Sequence, residues 1–192
     1  MIKHGAMTTI AMPAIQEISK ENKHYIRYFN ERIGHVPNLY LSMMHSAHAF
    51  ENFYHFYERK TSLSLREREA INLVMAQLNG SHYCISAHTM IAKLNGFSDD
   101  EIMQLRRGRA NFNTKLDAVV RLVKALAQNK GHQITYELTT FFDAGYSREH
   151  LLDTLQVVGA SYMSNFIAIA LHVPLDFPEA HALEKNGPNE SD

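Results

Sequence analysis

Two serines in the middle of this chain are each followed three residues later by a glutamate, just ahead of a helical run: Ser64 with Glu67, and Ser98 with Glu101. Such a pair fixes a helix N-terminus, because the hydroxyl accepts from the amide three residues on while the carboxylate reaches back to the capping amide. Helix stop signals recur as well, at Gly34, Gly80, Gly96, Gly108 and Gly145. No stretch alternates apolar and polar residues as a half-buried strand would. The chain is therefore read as all-α.

The spacing predicts a first helix from about Ile15 to Ile33 and a short one, PNLYLSMMH, opened by Pro37, where a missing N–H does no harm. A third is capped by Ser46 and runs to about Lys60. The Ser64 box starts LREREAINLVMAQLN, and Ser81 is the N-cap of HYCISAHTMIAKL. Beyond the short helix behind Ser98, one begins at Thr114 and reaches about Asn129, one is capped by Thr135 and stops before Gly145, and a long last helix is capped by Ser147 and extends to His172. The pattern is that of one helical domain over residues 11–183, with an uncertain segment at 1–10 and a tail, EKNGPNESD, at 184–192 that is expected to be mobile.

With 45% hydrophobic and 20% charged residues, the 192-residue chain has the composition of a folded globular protein. A net charge of -1 provides no field for nucleic acid or anionic lipid, so neither is expected as a partner. The densest basic spot, Arg106, Arg107 and Arg109, reads as a solvated helix end. The stretch from Thr154 to Leu171 lacks charge, but Gln156, Ser161, Ser164 and Asn165 interrupt it, and it is read as a buried core or interface helix, not a membrane span. A single cysteine makes no internal disulfide, and the N-terminus has no basic segment followed by an apolar one, so a cytoplasmic location follows by default.

That cysteine is the residue on which function turns. Cys84 is the third residue after Ser81, in a first helical turn where free N–H groups and the positive end of the helix dipole favour thiolate. His88, four residues on, shares its helix face and is placed to accept or balance a proton. Glu69 sits on a helix apolar in nearly every direction, where a carboxylate needs a partner. Each residue also has an ordinary reading: Cys84 as a small core hydrophobe, His88 as a satisfied structural side chain, Glu69 as a first-turn acid, Ser81 as a cap.

The ordered set Glu69, Ser81, Cys84, His88 resembles the signature of the alkylhydroperoxidase D-like, or carboxymuconolactone decarboxylase, superfamily, and its peroxidase-related branch in particular. VPNLY, LSLREREAINLVMAQLNG, HYCISAHT, GFSDDEI and PLDF carry the resemblance across about residues 33–178. It implies an all-helical AhpD-like domain, oligomeric as a trimer or hexamer, that reduces hydroperoxides. By the resemblance Cys84 is the attacking thiolate, His88 the adjacent base and Glu69 the orienting acid. Ser81 stands where the resolving cysteine of the family's Cys-x-x-Cys belongs.

With serine there, a sulfenic acid on Cys84 has no neighbouring thiol in the chain to condense with. Three explanations follow: a one-cysteine peroxidase resolved by an external thiol or redox protein, a member with lost or altered activity serving as a helical oligomeric binding protein, or a Cys→Ser variant of a two-cysteine enzyme. A muconolactone decarboxylase-type lyase is a further alternative, disfavoured by HYCISAH. No haem or flavin cofactor is expected. Nor is a metal site: of His45, His48 and His55, among twelve histidines, the first two are separated by the cap at Ser46 and so assigned to different helices, and His82 is assigned to an exposed pocket rim.

Overall fold

The computed structural model describes residues 10–183. The N-terminal segment 1–10, apart from Ile10, and the tail 184–192 lie outside them. The described residues form nine helices and no strand: α1 (Lys20–Ile33), α2 (Asn38–Met43), α3 (Ala49–Tyr57), α4 (Leu65–Asn79), α5 (His82–Leu94), α6 (Asp99–Arg106), α7 (Thr114–Asn129), α8 (Thr135–Asp143) and α9 (Arg148–Ala170).

The capping boxes at Ser64 and Ser98 form with both reciprocal hydrogen bonds, and a third occurs at Ser147, where His150 takes the place of the usual acid. Three expected boundaries differ. The first helix starts at Lys20, not Ile15, because Glu17 closes a separate turn with Ala14 through its own amide and its carboxylate, and Ser19 is extended. Ser46 does serve the N-terminus of α3, accepting from the amides of His48 and Ala49 at 3.3 and 3.1 Å, but His48 occupies the cap and the helix ends at Tyr57. Thr135 is the first residue of α8, with Ile134 at the cap and no side chain bonding there.

Helix α4 is the axis of the fold, packed against α5, α7 and α9. Its residues Glu69 to Ala76 are all buried, so the helix needs apolar neighbours on every side. On one side Leu73 and Val74 join a core with Leu105, Leu122 and Phe141. On the other, Ala76 meets Phe29, Phe50, Phe53, Tyr83 and Cys84, a cluster rich in aromatic rings. Burying a side chain of the Phe50 class contributes roughly 1.5–3 kcal/mol.

The segment after α9 is a strap laid along α5. Asp176 Oδ2 accepts from the amide of Asn38 at 2.7 Å, supplying from far along the chain the cap that Pro37 does not give α2. Ala180 donates to Ser86 Oγ at 3.1 Å, and Arg106 Nη1 donates to the carbonyl of His181 at 2.7 Å. Arg106 is thus not part of a solvated helix end: it is 6% exposed, and its Nε also donates to Gln77 at 2.9 Å. Its guanidinium ties three segments together.

No described helix is long and apolar enough to cross a membrane. Helix α9 buries Thr154, Val157, Ala160, Ser161 and Ser164 while leaving Leu152, Leu155, Met163, Phe166 and Ile169 exposed. The uncharged stretch is therefore core on one face and bare on the other.

Candidate functional site

Helix α4 closes on Gly80, whose positive φ of 67° turns the chain within two residues into α5. Ser81 caps α5: its hydroxyl accepts from the amide of Cys84 at 3.4 Å, and its own amide donates back to Ala76 at 3.0 Å. This tight turn lays α5 back along α4. Glu69 and His88 meet across the seam, with His88 Nδ1 2.7 Å from Glu69 Oε1 and both side chains largely buried. A carboxylate on Nδ1 sets the imidazole's orientation and leaves Nε2 without a hydrogen bond among the described residues.

His88 and Cys84 line one cavity of about 330 Å³. Its walls are mostly apolar and rich in aromatic rings, among them Phe29, Tyr40, Phe53, Tyr57, Tyr83 and Phe177, and Ser164 of α9 lies beside the sulfur. No lysine or arginine lines it among the described residues. The cavity can therefore receive an apolar molecule and present it to a thiol and an imidazole.

Cys84 corrects one expectation. It is 2% exposed, and burial pushes its thiol up to about 11, outweighing the opposing hydrogen bonds from Ser81 and Ser164. The helix N-terminus does not win here because desolvation of the buried sulfur is the larger effect. The resting sulfur is a thiol, and no hydrogen bond joins it to His88 among the described residues. The i, i+4 spacing brings the two to one cavity wall without bonding them.

Ser81 is fully buried and borders a separate hollow with His82, Ile169 and His172. His82 is exposed as expected, yet at the rim of that second hollow, paired with Glu179 at 3.1 Å. His45 bonds the carbonyl of Ala11 at 2.9 Å, whereas His55 lies 3.7 Å from Glu51, and no group of three or more metal-ligating side chains converges among the described residues.

Sequence reasoning did not find Tyr57, Asn72 or Ser164. Asn72 had a signal, as a polar residue three places from Glu69 in an otherwise apolar helix; Ser164 was visible only as an interruption in an uncharged one. Tyr57 gave none, and Phe177 stood out only as the end of PLDF, one of the stretches that carry the family resemblance.

Residues 45–128 match the carboxymuconolactone decarboxylase family, a segment that spans Glu69, Ser81, Cys84 and His88. The fold is AhpD-like. An alkylhydroperoxidase AhpD core protein from Ralstonia eutropha JMP134, described as peroxidase-related, superposes with a TM-score of 0.79 at 17% identity, over 90% of this chain and 94% of that one. A peroxidase-related protein from Silicibacter sp. TM1040 gives 0.75 at 18% identity, over 91% and 94%. A Cys→Ala variant of the debrominase Bmp8, in complex with 2,3,4-tribromopyrrole, gives 0.73 at 17% identity, over 90% and 94%. No curated protein matches the sequence.

Proposed function

We propose that the protein, with residues 11–183 acting as one domain, reduces hydroperoxides with Cys84 as the attacking sulfur. His88 is its proton acceptor and Glu69 the residue that orients His88. The observation that carries this reading is that Cys84 and a Glu69-held imidazole share one apolar cavity. Because the resting thiol is protonated at neutral pH, proton removal is coupled to substrate entry: the occupant excludes water and brings the sulfur and His88 Nε2 into one hydrogen-bonded chain. The aromatic lining suits a peroxide with an apolar organic group, and Bmp8, whose fold is similar, was solved with an apolar ring bound.

In the cycle the thiol proton passes to His88, the sulfur bonds to the terminal peroxide oxygen, the O–O bond breaks and an alcohol leaves. Cys84 becomes a sulfenic acid, oxidised by two electrons. Ser81 has no sulfur to condense with it, so an external thiol attacks, water leaves, and a second thiol reduces the mixed disulfide. A cytoplasmic setting supplies such thiols. The exposed apolar stripe of α9 supports self-association as a trimer or hexamer.

The burial of Cys84 favours one second reading, a catalytically impaired member that uses the cavity to bind an apolar ligand in a helical oligomer. Lyase chemistry on a carboxylated lactone has less support, because among the described residues no lysine or arginine lines the cavity to hold the acid. One experiment separates the readings: the protein is mixed with cumene hydroperoxide and a sulfenic-acid probe, and the adduct is located by mass spectrometry. Labelling of Cys84 that outpaces a free cysteine at the same pH supports the peroxidase; labelling no faster than free cysteine transfers the assignment to the binding protein.

A further inference from the structure

Helix α4 offers two buried polar side chains on one face, Glu69 and Asn72, three residues apart and 4% and 2% exposed. Glu69 holds His88. Asn72 does the same for a second ring of the cavity wall: its Nδ2 donates to the hydroxyl of Tyr57 at 3.2 Å. The amide is itself oriented from α9, where Ser161 Oγ lies 2.8 Å from Asn72 Oδ1 and shares its proton with the Val157 carbonyl at 2.9 Å. The oxygen is thus committed to Ser161 and the NH₂ to Tyr57.

The ring of Tyr57 is equally constrained. It stacks on Phe53 at a centroid separation of 5.7 Å and 14°, and the guanidinium of Arg68 lies 5.3 Å from its centroid. Arg68 also donates to the Tyr57 carbonyl at 3.0 Å. Three helices therefore fix one phenol of a residue that lines the cavity holding Cys84 and His88; its oxygen accepts from Asn72, and no acceptor takes its proton among the described residues. A buried chain of polar groups costs desolvation and, once satisfied, holds each of its members in one position.

We infer that Tyr57 is a catalytic residue of the peroxide reduction, donating its proton to the oxygen that leaves when the O–O bond breaks, with Asn72 and Ser161 as its positioning residues. The inference rests on the hydroperoxide reading above, in which the leaving oxygen could otherwise take its proton only from His88, and assigns that donation to a second group. As the Cys84 sulfur bonds to the terminal oxygen, the electron pair of the O–O bond goes to the inner oxygen. That alkoxide takes the phenolic proton and departs as the alcohol; Tyr57 regains a proton from solvent, to which His88 releases the one it took from Cys84. Burial first, and then the charge of Glu69, hold the phenol above its ordinary value, so it carries its proton throughout the neutral range.

The test uses two oxidants of similar size that differ in leaving group. tert-Butyl hydroperoxide expels an alkoxide, which needs a proton; peroxyacetic acid expels a carboxylate, which does not. Single-turnover sulfenic-acid formation on Cys84 is measured for wild type, Tyr57→Phe and Ser161→Ala, with thermal melts to verify the fold. Tyr57→Phe, which keeps the stacked ring, should slow the hydroperoxide reaction roughly 100-fold and the peroxyacid reaction by less than about threefold. Ser161→Ala, at a residue that does not itself line the cavity, should give a smaller loss with the same selectivity. A loss equal for both oxidants, or no loss, in a folded variant overturns the role of Tyr57 alone. If wild-type Cys84 is oxidised by neither compound, the hydroperoxide reading itself falls, and this role with it.

Discussion

His88 Nδ1 and Glu69 Oε1 lie 2.7 Å apart, in a contact that joins two antiparallel helices at the depth of the cavity. Glu69→Gln retains the shape but replaces an acceptor-only group with an amide that can present N–H to the imidazole. We expect Cys84 oxidation by cumene hydroperoxide to slow on the order of 10- to 100-fold, with the helical fold intact by circular dichroism. Stopped-flow measurement under single-turnover conditions checks it.

Alkylation of Cys84 by iodoacetamide should climb about tenfold per pH unit above pH 7 and reach half its maximum near the thiol value of about 11. Because the folded value lies above the roughly 8.5 of an unfolded cysteine, the contribution of Cys84 to stability is complete below the unfolded value and is lost as pH rises through the folded one. Ser164→Ala removes a hydrogen bond that favours thiolate and should move the alkylation curve to still higher pH. A curve centred near pH 7 would contradict the assignment.

Ser81→Cys places a second thiol one turn before Cys84. Loss of the hydroxyl cap costs about 1 kcal/mol. The expected gain is an intramolecular disulfide after peroxide treatment, seen as a mass loss of two hydrogens, together with faster dithiol-dependent turnover. Continued accumulation of free sulfenic acid in the folded variant would refute the placement.

Phe166 is the most exposed aromatic residue of the α9 stripe, at 58%. If that face carries the subunit contact, Phe166→Asp should shift sedimentation velocity to a smaller species while leaving the helical signal unchanged. An unaltered coefficient would locate the contact elsewhere.

The helix N-termini at Ser64, Ser81, Ser98 and Ser147 were legible because a cap is a local pattern of a few residues with its own hydrogen bonds. The start of α1 was not, since Glu17 and Ala14 form a separate hydrogen-bonded turn ahead of it. At the site, Cys84 and His88 were readable as neighbours on one helix, and the family signature linked Glu69 to them. The ionisation of Cys84 was misjudged: it depends on a wall assembled from α1, α2, α3, α9 and Phe177, and one helix's sequence carries the dipole but not the desolvation. The role of Asn72 was hidden for the same reason, its partners Tyr57 and Ser161 being supplied by other helices.

The hydrogen bond from Asn38 to Asp176 has a consequence for biosynthesis. Its acceptor, like Phe177 beside it, is translated after all nine helices, so a nascent chain can stack its helices while the cavity still lacks a side. The wall around the sulfur is closed on its last side only when the strap has left the ribosome.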